Sequence, residues 1–197
     1  MTPSPVAASS RLWLVRHAAP LVAPGTCYGA LDVPADAQAT RAAAERLSTA
    51  LPPSALVAHS TLQRCELLAH ELQALRPDLT FASDARLREM DFGRWEGLTW
   101  DAIGKSAIDT WVAGFATHAP GGGESLAQML HRVAAALQNA REWRTDQGAK
   151  DTVWITHAGV ARCVAWLQEH GESALPRPDD WPVAAPGWGE WEIRELT

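Results

Sequence analysis

Residues 11–17 read RLWLVRH, a short apolar run that ends on an arginine and a histidine side by side. Its length and character are those of a buried strand. TVWIT at 152–156 is a second such run and leads into His157, Ala158 and Gly159. SALVAHS at 54–60 is a third; it ends on His59 and Ser60, with Arg64 one turn further on. Helical patterns separate these runs. An alanine-rich helix is expected from a cap at Asp36 to about Leu51, where two prolines stop it. Leu62, Cys65, Leu68, Leu72 and Leu75 recur at helical spacing, which predicts a helix over 61–75 capped by Ser60 or Thr61. Further helices are expected near 99–112, from GGGESL (121–126) to about 144–151, and from Val160 to Gly171. Leu79 and Phe81 mark a short extended stretch, and GEWEIREL a final strand.

Strands alternating with helices predict an α/β fold with a largely parallel sheet. With 197 residues, 47% of them hydrophobic, the chain is long enough for a sizeable core. No linker or internal repeat divides it. One domain is expected over 11–197, with 1–10 a flexible N-terminal segment.

The formal net charge of −6 argues against a nucleic-acid partner. Cys27, Cys65 and Cys163 are odd in number and widely spaced, so they form no zinc or disulfide signature. No signal-peptide core opens the sequence, and no apolar run approaches the roughly 18 residues of a membrane span. A cytoplasmic setting is expected. Ten tryptophans are many for this length. Trp95, Trp100 and Trp111 form one group and Trp181, Trp188 and Trp191 another. They belong to the core or to the rim of a cleft, where a ring can stack on a planar substrate.

In open α/β sheets, ligands sit beyond the carboxyl ends of the strands. If the three runs are parallel neighbours, Arg16, His17, Arg64 and His157 meet at one edge. Such a cluster suits a phosphate group: the arginine fork matches its oxygens, and helix N-termini add to the field. A neutral histidine is a nucleophile, and nearby guanidinium groups help keep it neutral. A departing alkoxide then needs a proton. In LREMDFGRWEG (87–97) the residues alone leave Glu89, Asp91 and Glu96 as equal candidates.

Taken in order, Arg16-His17-Ala18, STLQRC (60–65), LREMDFGRWEG, GGESL (122–126) and THAG (156–159) resemble the histidine phosphatase superfamily, the phosphoglycerate-mutase-like group with its RHG motif. The resemblance spans about residues 11–170, with alanine at 18 in place of glycine. It implies a three-layer α/β/α sandwich with a mostly parallel central sheet. It also implies a metal-independent phosphomonoester hydrolase working through a phosphohistidine intermediate, without a cofactor. His17 matches the histidine that is phosphorylated, Arg16 and Arg64 the arginines on the phosphoryl oxygens, His157 the second histidine, and Glu89 the proton donor. TCYGALDVP (26–34) resembles the segment of alpha-ribazole phosphatases of cobalamin biosynthesis, which implies alpha-ribazole 5'-phosphate as substrate.

Tyr28, Glu124 and Ser125 are candidate substrate contacts. The alternatives are a broad sugar-phosphate or nucleotide phosphatase, a phosphoglycerate mutase, and a phospho-ligand binding module. The partner expected is a small phosphomonoester, not nucleic acid or membrane, with monomer and homodimer both open.

Overall fold

The structure, a computed structural model, describes residues 10–147 and 151–196. Five strands form one sheet: β1 (Arg11–Arg16), β2 (Leu56–His59), β3 (Thr80–Ser83), β4 (Asp151–Thr156) and β5 (Trp191–Glu195), in the order β3-β2-β4-β1-β5. The β1, β2, β3 and β4 pairings are parallel, and β5 runs antiparallel to β1. The helices are α1 (Ala37–Ala50), α2 (Gln63–Leu75), α3 (Trp100–Ile103), α4 (Lys105–Ala113), α5 (Leu126–Gln147) and α6 (Ala158–His170).

Both faces of the central strands are buried, which explains why they read as continuous apolar runs. Leu12, Leu14 and Trp154 join one core with residues of α5 and α6. Trp13, Val15, Val153 and Ile155 join a second core with residues of α1 and α2. The result is a mixed α/β fold of three layers. At its lower edge, buried Asp151 accepts from Arg11 Nε at 2.7 Å and Trp13 Nε1 at 2.8 Å. That pairing ties the starts of β1 and β4 together.

Local chemistry accounts for most element ends. The Asp36 side chain accepts from Ala39 N–H at 2.7 Å and caps α1. Gly171, at φ 78°, ends α6. The helix expected over 99–112 is two helices, because Gly104 sits at φ 83° and breaks the run. Neither Ser60 nor Thr61 caps α2. The helix begins at Gln63, whose N–H donates to Asp32 Oδ1 at 2.8 Å from the loop after β1. Ser125 and Gln128 form a reciprocal cap on α5, with Ser125 N–H donating to Gln128 Oε1 at 2.8 Å and Gln128 N–H to Ser125 Oγ at 3.3 Å.

Of the flexible N-terminal segment expected over 1–10, residues 1–9 lie outside the described residues. Ser10 is buried, and its carbonyl accepts from Leu196 N–H at 2.7 Å. The expected end of the long helix likewise runs into 148–150, outside the described residues. Among the described residues, no helix is long and apolar enough to cross a membrane.

Candidate active site

The parallel register lays Arg16 beside Thr156 and His59 beside Ile155, so β1, β2 and β4 end at one edge. From β1 the chain passes to α1 on one face; from β4 it passes to α6 on the other. The crevice between these departures is where an α/β sheet holds its ligand. His17 and His157 face each other across it, with ring centroids 5.1 Å apart.

His17 is buried, and its Nδ1 lies 2.7 Å from the Ala18 carbonyl oxygen. A carbonyl only accepts, so Nδ1 carries the proton and Nε2 keeps its lone pair. Burial, reinforced by the Arg64 charge, lowers the His17 pKa to about 3. The ring is therefore neutral at pH 7. His157 is fully enclosed, and burial together with Arg64 holds its pKa well below the ordinary histidine value. Its Nε2 is 2.8 Å from Ser60 Oγ and 3.5 Å from Cys65 Sγ. The Ser60 hydroxyl already accepts from Leu62 N–H, so its own proton is free for Nε2. With that proton given to Nε2, Nδ1 of His157 is the donor.

Nδ1 of His157, Nε of Arg16 and Nε of Arg64 are all buried with no acceptor among the described residues. A buried donor left unpaired costs about 1–3 kcal/mol. Three of them around one crevice form a site for an anion with several acceptor oxygens. The remaining nitrogens of the two arginines are partly engaged. Arg16 Nη1 donates to the Pro186 carbonyl at 3.1 Å, and its guanidinium lies 5.3 Å from the Trp188 ring centre. Arg64 is wholly buried and donates to the carbonyls of Gly29 (2.6 Å) and Leu31 (2.9 Å). Its guanidinium carbon lies 5.7 Å from the Tyr28 ring centre.

The three carboxylates of LREMDFGRWEG occupy different settings. Glu96 accepts from the N–H groups of Gly29, Ala30, Leu31 and Phe92, at 2.8 to 3.1 Å, and so anchors the loop that Arg64 also holds. Asp91 closes a turn by accepting from Gly93 N–H at 2.7 Å. Glu89 alone of the three lines the cavity that contains His17. Its Oε2 accepts from Gly159 N–H at 3.0 Å and its Oε1 from Met90 N–H at 3.0 Å. A side chain at position 159 would meet that carboxylate, so the glycine of THAG lets Glu89 keep this position.

This cavity measures about 400 Å³ and also includes Tyr28 and Arg162. One wall is a row of rings in successive contact: Trp100, Phe92, Trp111, Phe115 and Trp181, with centroids 5.8 to 6.1 Å apart. Trp111 Nε1 is buried without an acceptor among the described residues. Trp181, from the second tryptophan group, thus joins Trp100 and Trp111 of the first. Glu124 and Ser125 do not line this cavity. Ser125 is spent on capping α5, and Glu124 pairs with Arg132 at 2.6 Å. Arg162 and Phe92 do not stand out in the sequence, since a lone arginine on a helix and a phenylalanine in a loop carry no spacing signal. Among the described residues, no three His, Cys, Asp or Glu side chains cluster as a metal site requires.

A search of curated proteins gives no match. Solved structures give many. A mycobacterial glucosyl-3-phosphoglycerate phosphatase is similar at a TM-score of 0.75 and 25% identity, over 94% of this chain and 89% of that one. The same enzyme with inorganic phosphate is similar at a TM-score of 0.73 and 28% identity, over 94% and 89%. The protein TTHB049 of Thermus thermophilus is similar at 0.62 and 29%, over 93% and 92%. Residues 12–181 match the model of the histidine phosphatase superfamily, branch 1. The match takes in both facing histidines, Arg16, the buried Arg64 and Glu89, and the chain belongs to that superfamily as a phosphatase.

Proposed function

We propose that the protein hydrolyses a phosphomonoester through a phosphohistidine on His17, with no metal taking part. The observation that carries this reading is the pairing of a free imidazole lone pair with three buried donors that lack acceptors. The phosphoryl oxygens take the Arg16, Arg64 and His157 donors, which stabilise charge developing on them. His17 Nε2 attacks phosphorus, the P–O ester bond breaks, and Glu89 gives its proton to the leaving oxygen. Water then loses a proton to Glu89 and attacks phosphorus, and the P–N bond breaks with its electron pair returning to His17 Nε2. Inorganic phosphate leaves, and His17 and Glu89 return to their starting states.

The finer reading is a substrate whose alcohol carries a flat apolar ring, with alpha-ribazole 5'-phosphate as the specific candidate. Two features support it: the row of rings opposite the charged residues, and the TCYGALDVP loop whose Tyr28 borders the cavity. A phosphate-release panel tests this. Alpha-ribazole 5'-phosphate should exceed 3-phosphoglycerate, glucose 6-phosphate and p-nitrophenyl phosphate in kcat/KM by on the order of 100-fold. Equal values would retire the specific substrate and leave a broad phosphatase.

Gly159 offers a separate check on the acid. In Gly159→Ala the added methyl meets Glu89 and lies 3.1 Å from Met129 Cε. The carboxylate must move, and kcat should fall about 100-fold with a thermal midpoint near that of the wild type. Full activity in Gly159→Ala would mean that Glu89 is not the proton donor.

A further inference from the structure

Of the GGESL stretch only Leu126 lines the reaction cavity, yet Glu124 is held in a dense network. Arg132, on the second turn of α5, makes five hydrogen bonds. Two go to Glu124: Nε to Oε1 at 2.6 Å and Nη2 to Oε2 at 2.8 Å. Three go to backbone carbonyls: Nη1 to those of Arg86 (2.6 Å) and Arg88 (2.7 Å), and Nη2 to that of Glu89 (3.3 Å). The carbonyl this series omits, that of Leu87, accepts from Thr156 Oγ1 on β4 at 2.8 Å. Four consecutive carbonyls leading to Glu89 are thus held by two side chains.

The segment needs such a hold. Behind it lies a second cavity of about 290 Å³, lined by Arg88, Glu89, Asp91, Glu124 and Arg132. Glu89 therefore stands as a partition between the reaction cavity and open space on its far side. The ion pair is largely buried, with 19% and 17% of the two side chains exposed, so its geometry is not loosened by solvent. Lysine would supply the charge but not the planar fork that reaches carboxylate and carbonyls together.

We propose that Arg132, oriented by Glu124, is a positioning residue that sets the distance from the Glu89 carboxyl to the leaving oxygen. It touches neither substrate nor phosphoryl group, and its effect rests on Glu89 being the acid of the proposed reaction. A displacement of about 1 Å at a reacting group costs up to roughly 100-fold in rate. The loss should fall on the step that needs a proton.

The test is single-turnover phosphorylation of the full-length enzyme by two substrates, an alkyl phosphate with a poor leaving group and p-nitrophenyl phosphate with a good one. Arg132→Met should slow the alkyl substrate about 10- to 100-fold and p-nitrophenyl phosphate less than about 3-fold. Inhibition by inorganic phosphate should be unchanged, because Arg16, Arg64 and His157 are untouched. Glu124→Gln should show the same split at smaller size, and it carries the test if Arg132→Met does not fold. Equal slowing of both substrates, or none, overturns the positioning role. Glu89→Gln is run alongside. If it fails to discriminate between the substrates, the acid assignment falls and the Arg132 proposal with it. If it discriminates and the Arg132 and Glu124 variants do not, the positioning role alone falls.

Discussion

Replacing His17 by alanine should lower kcat by roughly 10⁴- to 10⁶-fold, the loss that follows when a covalent nucleophile is removed from a site whose other parts remain. Among the described residues the side chain bonds only to the neighbouring Ala18 carbonyl, so the sheet edge does not depend on it. Circular dichroism and the thermal midpoint should therefore stay close to wild type. Rapid quenching of wild type with substrate should trap a phosphoryl group that is stable to base and labile to acid. Peptide mapping should place it on His17, and His17→Ala should carry none. An adduct of equal size in His17→Ala, on His157 for example, would sink the assignment. The facing ring is the natural competitor, and its Nε2 is already engaged by Ser60.

Acid should destabilise this protein earlier than its carboxylates alone would. His17 and His157 both bind protons more weakly when folded than when unfolded. Below about pH 6.5 the unfolded chain gains protons at these rings and the native state does not, so stability falls with pH. For His17 the fall continues to about pH 3, the folded value. Each ring contributes a slope of up to about 1.4 kcal/mol per pH unit. Urea unfolding between pH 6.5 and 5 isolates the effect, because the carboxylates there are still largely ionised. The wild-type midpoint should drop steadily across that window, and His17→Asn should drop about half as steeply. Parallel slopes for the two proteins would show that His17 is not held neutral by its surroundings.

The layers and the site edge were legible because they depend on local pattern. RLWLV and TVWIT are apolar throughout, and a strand covered on both faces has no other composition open to it. His17, Arg16 and His157 follow from those strands, since each sits where a strand stops. Arg64 required only that α2 begin beside β2. The pairings that depend on loops were not legible. Ser60 reads as a helix cap by type, but its hydroxyl is turned to His157, and Asp32 from a distant loop takes over the cap. Glu124 reads as a cleft residue because it follows three glycines, while a partner eight residues on draws it behind Glu89. The antiparallel edge strand β5 has no signal for its direction in GEWEIREL. Glu96 and Glu89 are alike as side chains, and only the backbone around them separates an anchor from a group that faces the cavity.

The loop at residues 29–31 is gripped from both sides, its carbonyls by Arg64 and its amides by Glu96. Three separate stretches of sequence therefore form one exchangeable module. Grafting the loop of a relative to change substrate range would fail if moved alone, because the incoming backbone would meet mismatched fastenings. Moved together with the residues at 64 and 96, it becomes the natural unit for recombination between members of the superfamily.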